Sequence, residues 1–158
     1  MHHLQTLLEG NRVCCKLPAA SRKRALQLVA ERLADDHVNA DALFDELMAR
    51  ERLGSTGLGE GVAIPHCRFQ APDMRAALVS LPEPVDFEAS DGEPVDLLFV
   101  LAVPEDEQTA HLEALATLAG IFSQPDNRAQ LRACTDDEAL RSTFVTQLNN
   151  QVPGAKSA

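Results

Sequence analysis

The middle of the chain reads Gly54-Ser55-Thr56-Gly57-Leu58-Gly59-Glu60-Gly61-Val62-Ala63-Ile64-Pro65-His66. Four of the eight glycines fall within residues 54–61, and a short apolar run then ends at a histidine. Glycine lets backbone N–H groups approach an anion closely, and proline, which has no N–H, breaks a strand where the imidazole is presented. This pattern predicts a phosphate site with its own nucleophile. A glycine-rich turn followed by an incidental histidine is the alternative interpretation.

The apolar residues on either side of this stretch predict alternating strands and helices. One helix begins after Ser21, a suitable N-cap, and another runs from about Asp41 to Arg52 and ends at Gly54. Strands are expected at about 13–17, 62–64, 76–81 and 95–103. Later helices are expected to begin near Thr109 or Ala110 and at Thr135-Asp136-Asp137-Glu138, a capping-box pattern.

The order of these elements, β, α, α, β, β, β, α, α, predicts the α/β class and a three-layer α/β/α sandwich. Residues 95–103 are almost continuously apolar, as in a strand covered by helices on both faces. The connection between strands 62–64 and 76–81 is too short for a crossover helix. The two strands are therefore expected to be antiparallel if they are adjacent, which makes the sheet mixed.

Length and charge limit the classes of function. The 158 residues suit one domain, expected at 1–148, with a disordered tail at 149–158. Fourteen basic and 24 acidic residues give a net charge of −10, which disfavours nucleic acid or an anionic membrane as the main partner and fits an electropositive protein better. The longest uncharged apolar run, 97–103, is far shorter than the ~18 residues of a membrane span. We expect a cytoplasmic protein with no membrane insertion.

The residues that commonly bind metals do not form a recognisable site. Cysteines 14, 15, 67 and 134 lack the spacing of a zinc site and suit free thiols, and adjacent His2 and His3 are a poor ligand pair. The acidic runs at 35–36, 105–107 and 136–138 fall at helix ends and in a loop, where carboxylates are solvated. No nucleotide-binding loop is present, so phosphate is expected to arrive on a protein rather than on ATP. We expect no metal and no cofactor.

Several residues near the glycine stretch have side chains that suit phosphoryl transfer. At pH 7 roughly three quarters of an unperturbed histidine is neutral, so His66 needs no activating base. Arg50 offers a rigid fork of donors to phosphate oxygens, but an arginine at a helix C-terminus also caps that helix. Ser55, Thr56 and Gly57 are candidates for phosphate binding through hydroxyl or backbone N–H groups, and they equally suit a turn.

His111 is expected in the first turn of its helix. The positive end of the helix dipole opposes imidazolium formation there and lowers the pKa of the ring, which leaves a neutral N–H donor for a phosphoryl oxygen. The alternative is a histidine on an apolar stripe, satisfied by a backbone carbonyl.

The segment 50–68 resembles the active-site signature of the enzyme IIA proteins of the fructose/mannitol/nitrogen-regulatory family in the phosphoenolpyruvate-dependent phosphotransferase system. The similarity also includes residues 22–28, 93–104 and 109–112, and it covers roughly residues 4 to 145. It implies the phosphotransferase/anion transport protein type of fold, with His66 as the phosphorylated residue, His111 as the second active-site histidine and Arg50 as the phosphate-site arginine. Family members usually carry glycine after the active histidine, whereas this chain has Cys67, which could shield the phosphohistidine, react under oxidation or be inert.

The resemblance is strongest to the nitrogen-regulatory branch. It implies a donor of the HPr type, a histidine-containing phosphocarrier protein, and regulatory targets such as potassium transporters or sensor kinases. The first alternative is a sugar-specific enzyme IIA that passes phosphate to an enzyme IIB for fructose or mannitol uptake. The second, of a different class, is a binding module that keeps the fold and works mainly unphosphorylated.

Overall fold

The computed structural model describes residues 3–106 and 108–151, without the side chains of His3 and Ala110. In chain order the elements are α1 (His3–Leu7), a 3-10 turn (Gly10–Arg12), β1 (Val13–Cys14), α2 (Arg22–Leu33), α3 (Ala40–Leu53), β2 (Gly57–Gly59), β3 (Val62–Ala63), β4 (His66–Phe69), β5 (Arg75–Val85), β6 (Val95–Pro104), α4 (Gln108–Phe122), α5 (Pro125–Ala133) and α6 (Asp137–Gln151).

The strands form one mixed sheet with the order β1-β5-β6-β3-β2. Strand β4 also pairs with β6, so β3 and β4 lie end to end along it: β3 beside Leu97 and Leu98, β4 beside residues 101–104. Both are parallel to β6, whereas β5 is antiparallel to it. The chain therefore bends at Ile64-Pro65 without leaving the sheet.

Helices cover the sheet on both faces, which confirms the predicted three-layer sandwich. Helices α2 and α3 pack on one face through buried residues that include Leu26, Val29, Leu43 and Leu47. Helices α4, α5 and α6 pack on the other face, where Phe99 of β6 contacts Phe144 of α6 with ring centroids 5.3 Å apart. Strand β6 is buried along almost its whole length because both layers meet on it.

Most predicted elements are present, with differences at their ends. Ser21 caps α2 by accepting a hydrogen bond from the N–H of Arg24 at 3.0 Å, as expected. The cap of α6 is Asp136 rather than Thr135, because the Asp136 side chain accepts from the N–H of Ala139. The same helix continues to Gln151, so the tail predicted to be disordered from 149 is helical for its first three residues. The rest of that tail, 152–158, and His2 lie outside the described residues.

The predicted mixed sheet is confirmed, although the two strands on which the prediction rested are not neighbours. Strands β3 and β5 run in opposite directions but are not adjacent, since β6 lies between them. Strands β2 and β4 and helices α1 and α5 were not predicted from the sequence. In α5 only Leu131 is buried, so its apolar pattern is too weak to predict a helix. Across the described residues, no helix combines the length and apolar character that a bilayer crossing requires.

Candidate active site

His66 is the first residue of β4 and follows directly on the bend at Pro65. Its ring is half-buried, and Nδ1 lies 2.7 Å from the backbone carbonyl of Ile64. A carbonyl oxygen can only accept, so Nδ1 carries the hydrogen and donates it. In the neutral ring this leaves the lone pair on Nε2. The local backbone thus fixes which nitrogen is available as a nucleophile.

The surroundings of His66 favour the neutral ring. Burial lowers the pKa of His66 below 6.5, and the positive charge of Arg50 lowers it further, whereas the Ile64 carbonyl and the negative charge of Glu51 act in the opposite direction. Burial has the largest effect because it removes water from the charged form. At neutral pH the ring is therefore mainly unprotonated, as a nucleophile requires.

His111 lies beside His66, with the two ring centroids 5.2 Å apart and the rings inclined at 62°. It is the fourth residue of α4, in the first turn, as expected. The pKa of His111 is lowered, first by burial and then by the nearby His66 and Arg68. The direction agrees with the prediction, but burial is the leading cause rather than the helix dipole. Nε2 of His111 is buried, and it has no hydrogen-bond partner within residues 3–106 and 108–151.

Arg50 lies in the last turn of α3, where Nη1 donates a 2.8 Å hydrogen bond to the carbonyl of Gly54. This is the capping contact that the sequence analysis gave as one interpretation. The side chain is also close enough to His66 to affect its pKa. The arginine thus caps the helix in this structure and remains near the candidate nucleophile.

The hydroxyl groups of the loop between α3 and β2 have partners within the protein. Ser55 Oγ donates to the carbonyl of Phe87 at 2.6 Å and accepts from the N–H of Gly57 at 3.0 Å. The hydroxyl of Thr56 donates to the carboxylate of Glu51. A Cβ on Gly57 would lie 2.7 Å from that of Ala89, so this position has no room for a side chain. These contacts shape the loop, and phosphate binding by Ser55, Thr56 or Gly57 stays a prediction.

Cys67 does not face the histidine pair. Successive residues of a strand point to opposite faces, and Cys67 packs among the residues between the sheet and helices α2 and α3. Burial raises the pKa of this thiol to about 12. Of the three interpretations given for this departure from the family pattern, the structure favours the inert one.

Two residues near the site were not singled out from sequence. Arg68 is exposed and lies two positions after His66 on β4, so it shares the face of that histidine, and its charge lowers the pKa of His111. Glu51 is buried at the end of α3, where it binds Thr56 and lies near Arg22. If the chain after Pro65 had been read as a strand, the alternation of its side chains would have placed Arg68 on the same face as His66. Nothing in the local sequence indicates that Glu51 is buried.

The site brings together a neutral histidine with a defined free nitrogen, a second histidine and an arginine. Phosphoryl transfer depends on positioning and on neutralising the charge of the equatorial oxygens rather than on acid or base strength, so this set of groups suits it. Within the described residues, no cluster of three or more histidine, cysteine or acidic side chains has the arrangement of a metal site.

Fold and sequence together define the class of protein. The chain belongs to the family described as "Phosphoenolpyruvate-dependent sugar phosphotransferase system, EIIA 2", which matches residues 6–146. It is 43% identical over 156 residues to a nitrogen regulatory protein of Pseudomonas aeruginosa, covering 96% of this chain and all of that one. The nitrogen regulatory protein of Escherichia coli is 38% identical over 135 residues, covering 82% and 83% of the two chains.

The solved structures give the same assignment. The nitrogen regulatory protein IIA-Ntr of Neisseria meningitidis superposes with a TM-score of 0.85 at 38% identity, covering 89% of this chain and 98% of that one. The family implied by the sequence resemblance is therefore confirmed, together with its similarity to nitrogen-regulatory members.

Proposed function

We propose that the protein accepts a phosphoryl group on Nε2 of His66 from a histidine-containing phosphocarrier of the HPr type. The observation that carries this proposal is the 2.7 Å hydrogen bond between Nδ1 of His66 and the Ile64 carbonyl, which leaves Nε2 as the nucleophilic nitrogen. The second imidazole, 5.2 Å away by ring centroids, and the nearby Arg50 supply groups that stabilise the transferred phosphate. Membership of the EIIA family supports the same reaction class.

The transfer balances without a separate base. The Nε2 lone pair of His66 forms the new N–P bond while the N–P bond of the donor phosphohistidine breaks, and its electron pair returns to the donor imidazole. His66 becomes a phosphorylated imidazolium that retains its Nδ1 hydrogen. The Ile64 carbonyl accepts that hydrogen and stabilises the positive charge of the ring. Arg50 would exchange the Gly54 carbonyl for a phosphoryl oxygen, and a neutral His111 would donate a hydrogen bond to another.

Three exposed apolar side chains lie close in the chain to residues of the candidate site. Leu53 ends α3, Leu58 lies in β2 beside the glycine loop, and Leu112 follows His111, and all three are exposed. Contiguous exposed apolar surface on a protein often marks a site where another protein binds. We infer that the donor presents its phosphohistidine against this leucine set, defined as Leu53, Leu58 and Leu112.

The protein is proposed to act as a regulator rather than in sugar uptake. Relatives at 43% and 38% identity are named nitrogen regulatory proteins, and a phosphoryl group adds about −2 of charge to a surface that binds partners. Phosphorylation would therefore alter binding to regulatory targets such as potassium transporters or sensor kinases. We further propose that the chain acts as one domain, which includes the whole of α6 to Gln151 rather than ending at 148. The four free thiols suit the reducing cytoplasm.

Incubation with phosphoenolpyruvate, enzyme I and an HPr-type carrier tests the proposal, with mass spectrometry and phosphorus NMR as readouts. The wild type should gain one acid-labile phosphoryl group and His66→Ala none, while His37→Ala, which changes an exposed histidine elsewhere, should be phosphorylated like the wild type. No phosphorylation by any carrier would contradict the proposal and favour a binding module. Onward transfer to an added enzyme IIB domain for fructose or mannitol would favour the sugar-specific alternative over regulation.

A further inference from the structure

We propose that Glu51 is a positioning residue, which fixes the orientation of the His66 ring through Thr56 and the backbone of Ile64. The inference rests on the proposed function of His66 as phosphoryl acceptor. It assigns a role to a buried carboxylate that touches neither of the two histidines.

Glu51 is unusual because its side chain is completely buried. Burial of a carboxylate is strongly unfavourable unless hydrogen bonds or an opposite charge compensate it. Oε2 accepts the hydroxyl hydrogen of Thr56, and Oε1 lies 3.4 Å from the Thr56 N–H and 3.7 Å from Nη1 of Arg22. Donors from the loop and from α2 therefore converge on a carboxylate at the end of α3.

A continuous series of hydrogen bonds leads from this carboxylate to the candidate nucleophile. Glu51 holds Thr56 through both its hydroxyl and its N–H. The carbonyl of Thr56 accepts from the N–H of Ile64 at 3.1 Å. The carbonyl of that same Ile64 accepts from Nδ1 of His66 at 2.7 Å. The Ile64 peptide segment is thus held by Thr56 on its N–H side and holds the imidazole on its carbonyl side.

Charge adds to this geometric effect. The negative charge of Glu51 raises the proton affinity of His66, opposing the effect of Arg50. Glutamine at position 51 would keep much of the shape and remove the charge, whereas valine at position 56 would remove only the hydroxyl. Thr56→Val therefore tests the positional contribution alone, whereas Glu51→Gln tests position and charge together.

The chain offers a matched control at Glu88. Arg22 contacts both carboxylates, Glu51 at 3.7 Å and Glu88 at 3.2 Å, but Glu88 is largely exposed and makes no contact with Thr56. Glu88→Gln removes a carboxylate from the same arginine and leaves the series of hydrogen bonds to His66 intact.

The test compares Glu51→Gln, Thr56→Val, Thr56→Ser and Glu88→Gln. Two measurements are made on each: the rate of His66 phosphorylation by the HPr-type carrier and by phosphoramidate, and the nitrogen-15 NMR shifts of the His66 ring, which report the tautomer. Thermal unfolding of each variant corrects the rates for the folded fraction. The NMR measurement needs no donor, so it still tests the inference if phosphorylation of the wild type fails.

We expect Thr56→Val and Glu51→Gln to slow phosphorylation by both donors about tenfold and to reduce the share of the Nδ1–H tautomer, because a small misplacement of a reacting group is costly. Thr56→Ser should recover most of that loss, and Glu88→Gln should match the wild type. If Glu51→Gln does not fold, the valine and serine variants of Thr56 decide the question. Lower thermal stability with unchanged rates and an unchanged tautomer would overturn the inference and leave Glu51 a purely structural role.

Discussion

The rings of His66 and His111 lie edge to face, with centroids 5.2 Å apart and planes inclined at 62°. The two residues belong to different elements: His66 begins β4, and His111 lies in the first turn of α4, which follows β6. Because β4 pairs with the end of β6 that leads into α4, the sheet register brings the two rings together. The first prediction concerns this pair.

Replacement of His111 by alanine should slow phosphorylation of His66 about 100-fold, because one preoriented hydrogen-bond donor to the transferred phosphate is lost. Single-turnover phosphorylation with a saturating HPr-type carrier measures the effect, and His37→Ala is the control. His111→Asn keeps a hydrogen-bond donor at this position and should slow phosphorylation less than His111→Ala does. A wild-type rate and an equally long-lived phosphohistidine in the alanine variant would refute a supporting role for His111.

The lowered pKa of His66 predicts how the protein responds to acid. Burial keeps the pKa of His66 below 6.5, so fewer than half of the His66 rings should be protonated at pH 6.5, where half of an ordinary histidine is charged. Between its folded pKa and 6.5 the folded protein binds fewer protons at His66 than the unfolded chain does. The extra proton that His66 binds on unfolding therefore lowers the free energy of unfolding as the pH falls through 6.5.

An NMR titration of His66 in the folded protein, with the chain unfolded in denaturant as reference, checks this prediction. The midpoint of the folded protein should lie at the lower pH. A midpoint at or above that of the unfolded chain would show that burial is not the leading influence on this ring.

Substitution of Arg50 by lysine should slow phosphorylation about tenfold, since lysine keeps the positive charge but lacks the planar fork that matches phosphate oxygens. The matched control is Arg52→Lys, because Arg52 lies on the same helix end and is exposed. Loss of the bond from Arg50 to the Gly54 carbonyl should lower the free energy of unfolding by only about 1 kcal/mol. Equal rates in the two lysine variants would assign Arg50 to helix capping alone.

Cys67 should be chemically silent. With a pKa of about 12, about one thiol in 10⁵ is ionised at pH 7, and the side chain is buried. A thiol reagent should label the partly exposed Cys15 well before Cys67, as peptide mass spectrometry can show. Glycine at position 67 should lower the free energy of unfolding by about 2 kcal/mol and leave phosphorylation unchanged. Faster phosphorylation in the glycine variant would show instead that the thiol hinders transfer.

Leu112→Ala tests the proposed docking surface. The exposed leucine adjoins His111, and its truncation should raise KM for the HPr-type carrier about fivefold while kcat changes little. Phosphorylation by phosphoramidate, which needs no protein interface, should be unaffected and serves as the control. An equal loss with both donors would mean that the variant disturbs His111 rather than docking.

Local sequence was informative wherever a structural choice depends on neighbouring residues. Ser21 caps α2, Gly54 ends α3, and the apolar run 95–103 forms a strand covered on both faces, because caps, turns and burial patterns are properties of short segments. The same reasoning correctly ended β3 before Pro65, but it did not predict that the chain continues as β4 directly after that proline. Pro65 lacks an N–H, but its carbonyl still accepts from the N–H of Leu101 at 2.9 Å, which keeps the chain beside β6.

In the candidate site too, local sequence indicated some features and left others undetermined. The residue types of the glycine stretch indicated a phosphate site, and the family resemblance added His111 and Arg50. Neither revealed that the hydroxyls of Ser55 and Thr56 are used within the protein, nor that Glu51 is buried. Phe87 and Arg22 are distant in the chain from their partners, and the Thr56 contact with Glu51, five residues away, depends on how the loop folds back on the end of α3.

By itself the sequence determined the α/β class, the positions of the main strands and helices, and the family to which the chain belongs, because these follow from local periodicity and from a distinctive motif. Only the tertiary structure decided which groups meet: His66 with His111, Glu51 with Arg22, and Cys67 with the opposite core layer. The physical reason is that these contacts depend on strand register and helix packing, which join residues far apart in the chain and have no signature in any one segment.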